Sequence, residues 1–243
     1  MTKIKYLALI LIGFCITNQD LKSQSFVFGF KGGPVIATQN WSNFQRNPLL
    51  DLHGIAFIES WEEDSPNILF AQLGYHTRGS SLRQVFVNQF TGFVPQTRAF
   101  RFRNLALTLG AKKKLRMGTW SPFYTVGLRG EYTVGTNLDE YVDVNYTART
   151  TYPQNEFVRR WNYGIYAGGG TEFEIGELIG VVMELSVNPD LSRQYFQPPL
   201  TNVYNPNPFN GSTTINLEAR EIRNITLELT FGFRFLRKVI YIE

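Results

Sequence analysis

Two histidines, an aspartate and an arginine are the residues of this chain whose types and spacing raise the question of chemistry. His53 and His76 are its only imidazoles. If the extended segments that carry them pair across the short connection WEEDSP, both fall near one end of a shared face, with Asp51 and Arg78 close by. Two imidazoles and a carboxylate are donor types that hold a metal, and the same groups can support hydrolysis. Yet the spacing fixes no third ligand, and no serine, histidine and acid follow in an order that builds a triad. The sequence therefore assigns no catalytic, cofactor-binding or metal-binding residue. His53, His76, Asp51 and Arg78 are expected as ordinary polar members of an interior, in a protein that is not an enzyme.

The elements that carry these residues are strands. In the stretch NITLELTFGFRF, Ile225, Leu227, Leu229, Phe231, Phe233 and Phe235 fall on one side of an extended chain, while Thr226, Glu228, Thr230, Gly232 and Arg234 fall on the other. The same period of two marks eight segments: Phe26 to Thr38, Asp51 to Ser60, Asn67 to Gly79, Phe100 to Lys113, Phe123 to Val134, Asn162 to Glu174, Leu178 to Asn188 and Asn224 to Phe235. Their lengths suit tilted strands that cross a bilayer. The connections alternate strictly. WEEDSP, KLRMGTWS and IGE are short, whereas the other four linkers run to about 12, 20, 27 and 35 residues. That pattern predicts an all-β, eight-stranded antiparallel up-and-down transmembrane β-barrel with short periplasmic turns and long extracellular loops. Trp41, Trp61, Trp120 and Trp161 all fall at strand ends, where indoles meet the headgroup region.

The amino terminus fits export to such a location. Lys3 and Lys5 precede an apolar run from Tyr6 to Ile16, too short to span a bilayer as a helix, and polar residues with small serines follow. Residues 1–24 read as a cleaved signal peptide, with processing after Ser23 or Ser25, and 25–243 as one barrel domain with a short periplasmic tail. Phe14 ahead of Cys15 argues against a lipid-modified cysteine, so the processed chain has no cysteine and rests on packing and hydrogen bonds. Cutting after Ser23 removes Lys3, Lys5, Lys22 and Asp20, which leaves 21 basic against 19 acidic residues. So even a balance gives nucleic-acid binding no electrostatic support. Beyond the signal no run of 18 apolar residues occurs, which excludes crossing by helices.

A water-soluble barrel would show the same alternation, so the polar face must decide which side is interior. In NYGIYAGGGTEFE that face carries Asn162, Gly164, Tyr166, Gly168, Gly170, Glu172 and Glu174, glycines beside charges, which suits a tight lumen better than a solvated surface. Across the strands it collects Lys31, Arg78, Lys112, Arg129 and Arg234 against Glu131, Glu172, Glu174, Glu184 and Glu228. Five against five is the balance a buried network needs, because an unpaired interior charge is costly. Eight strands enclose a bore that side chains can fill. A plugged barrel is the expectation. Lys112, Lys113, Lys114 and Arg116, together with Arg237 and Lys238, fall at the periplasmic end and are expected to reach towards lipid phosphates. The aromatic, proline-rich loops VFVNQFTGFVPQTRAF and YFQPPLTNVYNPNPF either bind protein or glycan or fold over the mouth. NPNPFNGSTTI resembles the opening of a type 9 sorting signal, but the 28 residues after it are claimed by the last strand, so it reads as loop turn chemistry.

FGFKGG, LFAQLGYHTRGS, PFYTVGLRGEY, YGIYAGGGTEFE, GVVMELSVN and ITLELTFGFRF, in that order and spacing, resemble successive strands of the PorT-like small outer-membrane β-barrel proteins of Bacteroidota. The resemblance covers the whole processed chain. It implies a protein of the cell outer membrane, surrounded by outer-membrane lipid, and possible protein partners in a secretion or surface complex, since the best-known member is implicated in type 9 secretion. LRKVIYIE after Phe235 departs from the family pattern, in which a terminal aromatic closes the last strand. Either Phe235 still serves as that signal or the strand runs longer.

Overall fold

The computed structural model describes residues 25–41, 46–62, 65–88, 92–115, 117, 120–141, 152–205 and 213–239. The expected signal segment, Arg116 and most of NPNPFNGSTTI lie outside them. In chain order the strands are β1 (Phe26–Trp41), β2 (Leu49–Ser60), β3 (Asn67–Asn88), β4 (Gly92–Lys114), β5 (Trp120–Thr136), β6 (Trp161–Glu174), β7 (Ile179–Pro189), β8 (Tyr195–Gln197), β9 (Leu200–Tyr204), β10 (Thr214–Leu217) and β11 (Arg220–Arg237). Each of β1 to β7 pairs with the next, and β11 pairs with β7 and returns to β1. The closing register runs antiparallel from Phe26↔Arg237 to Trp41↔Ile222. Eight strands thus close into a ring, and away from the outer half of the β2–β3 contact ladder hydrogen bonds are not left for lipid to satisfy. β8 adds to the overhang of β11 beyond β7, and β9 with β10 forms a separate hairpin.

The period of two sorts residues as the sequence predicts. Phe233 is 57 % exposed and Thr230 only 2 %. The outward set continues around the ring with Leu52, Leu73, Leu107, Leu128 and Leu185, all exposed apolar side chains. A continuous apolar exterior around a polar interior is the arrangement of a barrel solvated by acyl chains. The glycines make the bore narrow: a Cβ on Gly168 would stand 2.9 Å from Thr125 Oγ1 and 3.0 Å from Glu184 Oε1, so the strand must omit a side chain where these groups meet.

Several expectations are corrected. The 20-residue linker between the third and fourth strands is a β-ribbon: β3 and β4 pair without a break from Asn67↔Lys113 to Asn88↔Gly92. The two strands simply continue beyond the ring, because β-forming residues such as Val85, Phe86 and Val87 do not stop at the membrane boundary even though the strict alternation does. The loop from 137 to 160 carries two 3-10 turns, Leu138–Tyr141 and Asn155–Phe157. β11 runs two residues past Phe235, and Arg237 still pairs with Phe26. Trp120 and Trp161 point outward, but Trp41 is buried in the mouth and Trp61 packs inward beside Val27, Ile55 and Phe57. Their position along the strand was readable; the direction of the ring depends on which side of the pleat each occupies. Lys112 and Lys114 likewise turn into the lumen rather than towards lipid phosphates, and only Lys113 of the described trio is exposed.

One wall is incomplete. β2 and β3 pair only from Gly54↔Tyr75 to Glu59↔Phe70, and the next contact is the isolated bridge Asn47↔Ser81. Residues 48–53 therefore face residues 76–80, six against five, and the ladder lapses over the outer half of this seam. Among the described residues the backbone ladder of β2 is there with β1, with Pro34 opposite Leu52 and Val35 opposite Asp51.

Candidate functional site

The lumen brings the two histidines together. His53 and His76 project inward from β2 and β3, and their rings stack at 5.4 Å with an interplanar angle of 5°. Both are partnered by β11: His76 Nδ1 lies 2.9 Å from Glu228 Oε1, and His53 Nε2 lies 3.1 Å from Thr230 Oγ1. Arg78, two residues from His76 on the same face, shares Glu228 at 3.2 Å and meets Glu131 Oε1 of β5 at 2.5 Å. Asp51 stands apart from this group. Its carboxylate pairs instead with Arg101 of β4 at 3.3 Å, and its Oδ1 accepts the Leu52 N–H at 2.8 Å. Of the four residues singled out by type and spacing, three share one layer and one does not. Among the described residues no three metal-ligating side chains converge.

Around this layer the interior is filled by ion pairs. Glu131 also accepts from Asn104 at 2.7 Å and lies 2.7 Å from Arg129 Nε, while Arg129 Nη2 meets Asp190 at 2.5 Å. Asn224 donates to Asp190 at 2.6 Å. In the middle of the bore Lys31 of β1 reaches Glu184 of β7 at 2.5 Å, and Tyr166 and Thr125 also donate to that carboxylate. At the periplasmic end Lys112 bridges Glu59, at 2.9 Å, and Glu172. Lys114 and Arg234 then meet Glu172 at 2.8 and 3.1 Å. Glu174 joins them but sits half-exposed at the inner rim. The ten interior charges read from the sequence are all paired, joined by Glu59, Lys114 and Asp190, which were not foreseen. No local signal could have revealed who pairs with whom, because partners on opposite walls are set by strand stagger around the whole ring.

The outer mouth is closed by aromatic side chains. Phe100, Phe102, Leu138 and Tyr152 form one buried cluster, and Trp41, Tyr195 and Ile222 form another beside it. Arg46 lies over the Trp41 ring at 4.0 Å and Arg98 over Tyr152 at 4.9 Å, so cations roof the aromatic layer. Burial there, with Arg220 as a like-charged neighbour, lowers Arg46 to about 10, and burial raises the Tyr195 phenol to about 12. Of the two outcomes the sequence allowed for the aromatic loop residues, Phe100 of the first loop and Tyr195 of the second fold over the mouth. Among the described residues the interior is occupied by paired charged side chains. What it does chemically is hold charges in fixed pairs, and removing one member would strand its partner at a cost of about 3–5 kcal/mol.

The sequence pattern described as the outer membrane protein beta-barrel domain matches residues 19–193. No curated protein matches the chain. Among solved structures, Neisserial surface protein A is similar over 87 % of this chain and 96 % of its own, with a TM-score of 0.44 and 8 % identity. The outer membrane protease OmpT from Escherichia coli is similar over 91 % and 99 %, with a TM-score of 0.42 and 8 % identity. E. coli outer membrane protein W is similar over 88 % and 100 %, with a TM-score of 0.37 and 11 % identity.

Proposed function

The chain belongs to the outer-membrane β-barrel domain family, and from that membership we propose a non-enzymatic barrel of the PorT-like kind that serves as an accessory component of a surface or secretion assembly. It works through its extracellular elements and its periplasmic tail, not through its bore. The observation that carries this reading is the filled lumen: Arg78 has no exposed surface and is held across the barrel by Glu131 and Glu228 beneath an aromatic roof. A barrel filled in this way has its surfaces left to act with. Two surfaces support the reading. The β3–β4 ribbon continues past the ring on the outside, and Arg237 and Lys238 lie at the inner end over Phe26 and Trp61.

The test has two arms. The protein reconstituted in planar bilayers is expected to give no unitary conductance steps. In cells, crosslinking from the exposed Tyr204 of β9 is expected to yield a discrete adduct, and replacing residues 85–95, which lie between the facing pair Gln84 and Gln96, by an Asn-Gly turn should abolish it while membrane insertion persists. Stepwise conductance in the first arm, or uncrosslinked monomer alone in the second, would reject the proposal.

A further inference from the structure

The lapsed β2–β3 seam is a built cleft. Over the outer half of the wall the strands part around a cavity of about 510 Å³, lined by Asp51, Leu52, His53 and Gly54 of β2, Tyr75 and Thr77 of β3, and Arg101 and Arg103 of β4. Backbone groups without ladder partners are costly within a bilayer, so a gap at this depth calls for an occupant that supplies polar atoms. Its chemistry can be read from the two ends of the opening. On the extracellular side stand Arg101, fixed by Asp51, and Arg103, which is exposed and has no acidic partner among the described residues. Deeper in the wall lies His53, 6 % exposed, whose Nδ1 has no hydrogen-bond partner while Nε2 is engaged by Thr230. Towards the bilayer centre the same wall turns apolar. Tyr75 on β3 is 43 % exposed, and Leu105 and Leu107, 44 % and 51 % exposed, continue below the arginines on β4.

We propose that this cleft is a binding site for an anionic, phosphate-bearing lipid of the outer leaflet, with its headgroup between Arg101 and Arg103 and an acyl chain along Tyr75, Leu105 and Leu107. Charge complementarity selects the anion. Counting His53 as neutral, the two arginines exceed Asp51 by one positive charge, and both present planar N–H forks suited to phosphate oxygens. The apolar strip beneath them selects an amphiphile over a free ion. Gly54 marks the space itself: a Cβ placed there meets nothing within 4 Å, so the position opens onto the cleft.

The test uses the full processed protein in nanodiscs of phosphatidylcholine mixed with phosphatidylglycerol, released into native mass spectrometry. Wild type should retain one phosphatidylglycerol in preference to phosphatidylcholine. The double variant Arg101→Ala/Arg103→Ala should lose that preference by about tenfold or more. Arg223→Ala, an exposed arginine at the outer end of β11, should keep it. Gly54→Leu fills the cleft without altering charge and should also release the lipid. Equal retention of both lipids by wild type, survival of the preference in either cleft variant, or displacement by millimolar inorganic phosphate would each overturn the proposal. None of these outcomes bears on whether the barrel joins an assembly.

Discussion

The two edges of β3 are built differently. On one side it pairs with β4 over 22 successive residues, through the membrane and beyond it; on the other it pairs with β2 over six and then parts from it. The sequence of β3 is the same in both directions, so its propensity cannot account for the contrast. The difference lies in the partners. β4 matches β3 residue for residue, whereas β2 must connect to Asn47 with one residue too many, next to a proline on β1 that offers no N–H. A closed ring therefore does not distribute its strength evenly. Cross-lumen ion pairs hold the half in which one wall is loose.

Perturbations can sharpen this contrast. The largest effect is expected from Arg78→Leu, which removes the cation shared by Glu131 and Glu228 and leaves them only Arg129 and His76 beside the open seam. Urea unfolding of the barrel folded into lipid vesicles should show a loss of about 3–5 kcal/mol, and a variant as stable as wild type would remove the network from its structural role. Next comes the exterior of the sealed region. Phe231→Arg should cost about 2–4 kcal/mol in the same assay and hinder insertion in cells, while Thr230→Ser, one residue away but facing inward, should cost about 1 kcal/mol or less. Similar losses at both positions would reverse the assignment of inside and outside. Hydrogen exchange in detergent compares the two edges directly: amides of residues 49–53 should exchange faster than those of Leu105 to Leu109. Uniform protection would close the seam. The smallest effect belongs to Asp51→Ala, which frees Arg101 and the Leu52 N–H at the solvent-facing end and should cost about 1 kcal/mol or less.

Much of this could be read before the fold was seen, because an interior and a lipid exterior each impose a period of two. All eight ring strands, the inward placement of Glu228 and Arg234 and the outward placement of Phe231 and Phe233 follow from that period alone. What escaped depends on relations that period does not encode. The ribbon beyond Gly79 looked like a loop, since SSLRQVFVN has no bilayer to separate its faces. Trp41 looked like an interfacial anchor, although its neighbours in space, Tyr195 and Arg46, draw it into the mouth. The pairing of His53 with Thr230 and His76 with Glu228 spans more than 150 positions of sequence, and only the stagger of the closed ring brings β11 opposite β2 and β3. The seam was illegible for the same reason. It arises from a mismatch of one residue between segments that each look regular.

The β3–β4 ribbon has a mechanical meaning. Its 22-residue β3 strand has a contour of about 70 Å at ~3.3 Å per residue, over twice the ~30 Å hydrocarbon thickness. No joint interrupts the register between Asn67 near the inner turn and Asn88 near the tip. A ligand or neighbouring cell component that pulls on the tip would load these cross-strand bonds in shear, in parallel. The barrel would therefore behave as a stiff post, passing displacement from outside to the periplasmic rim instead of absorbing it in a slack tether.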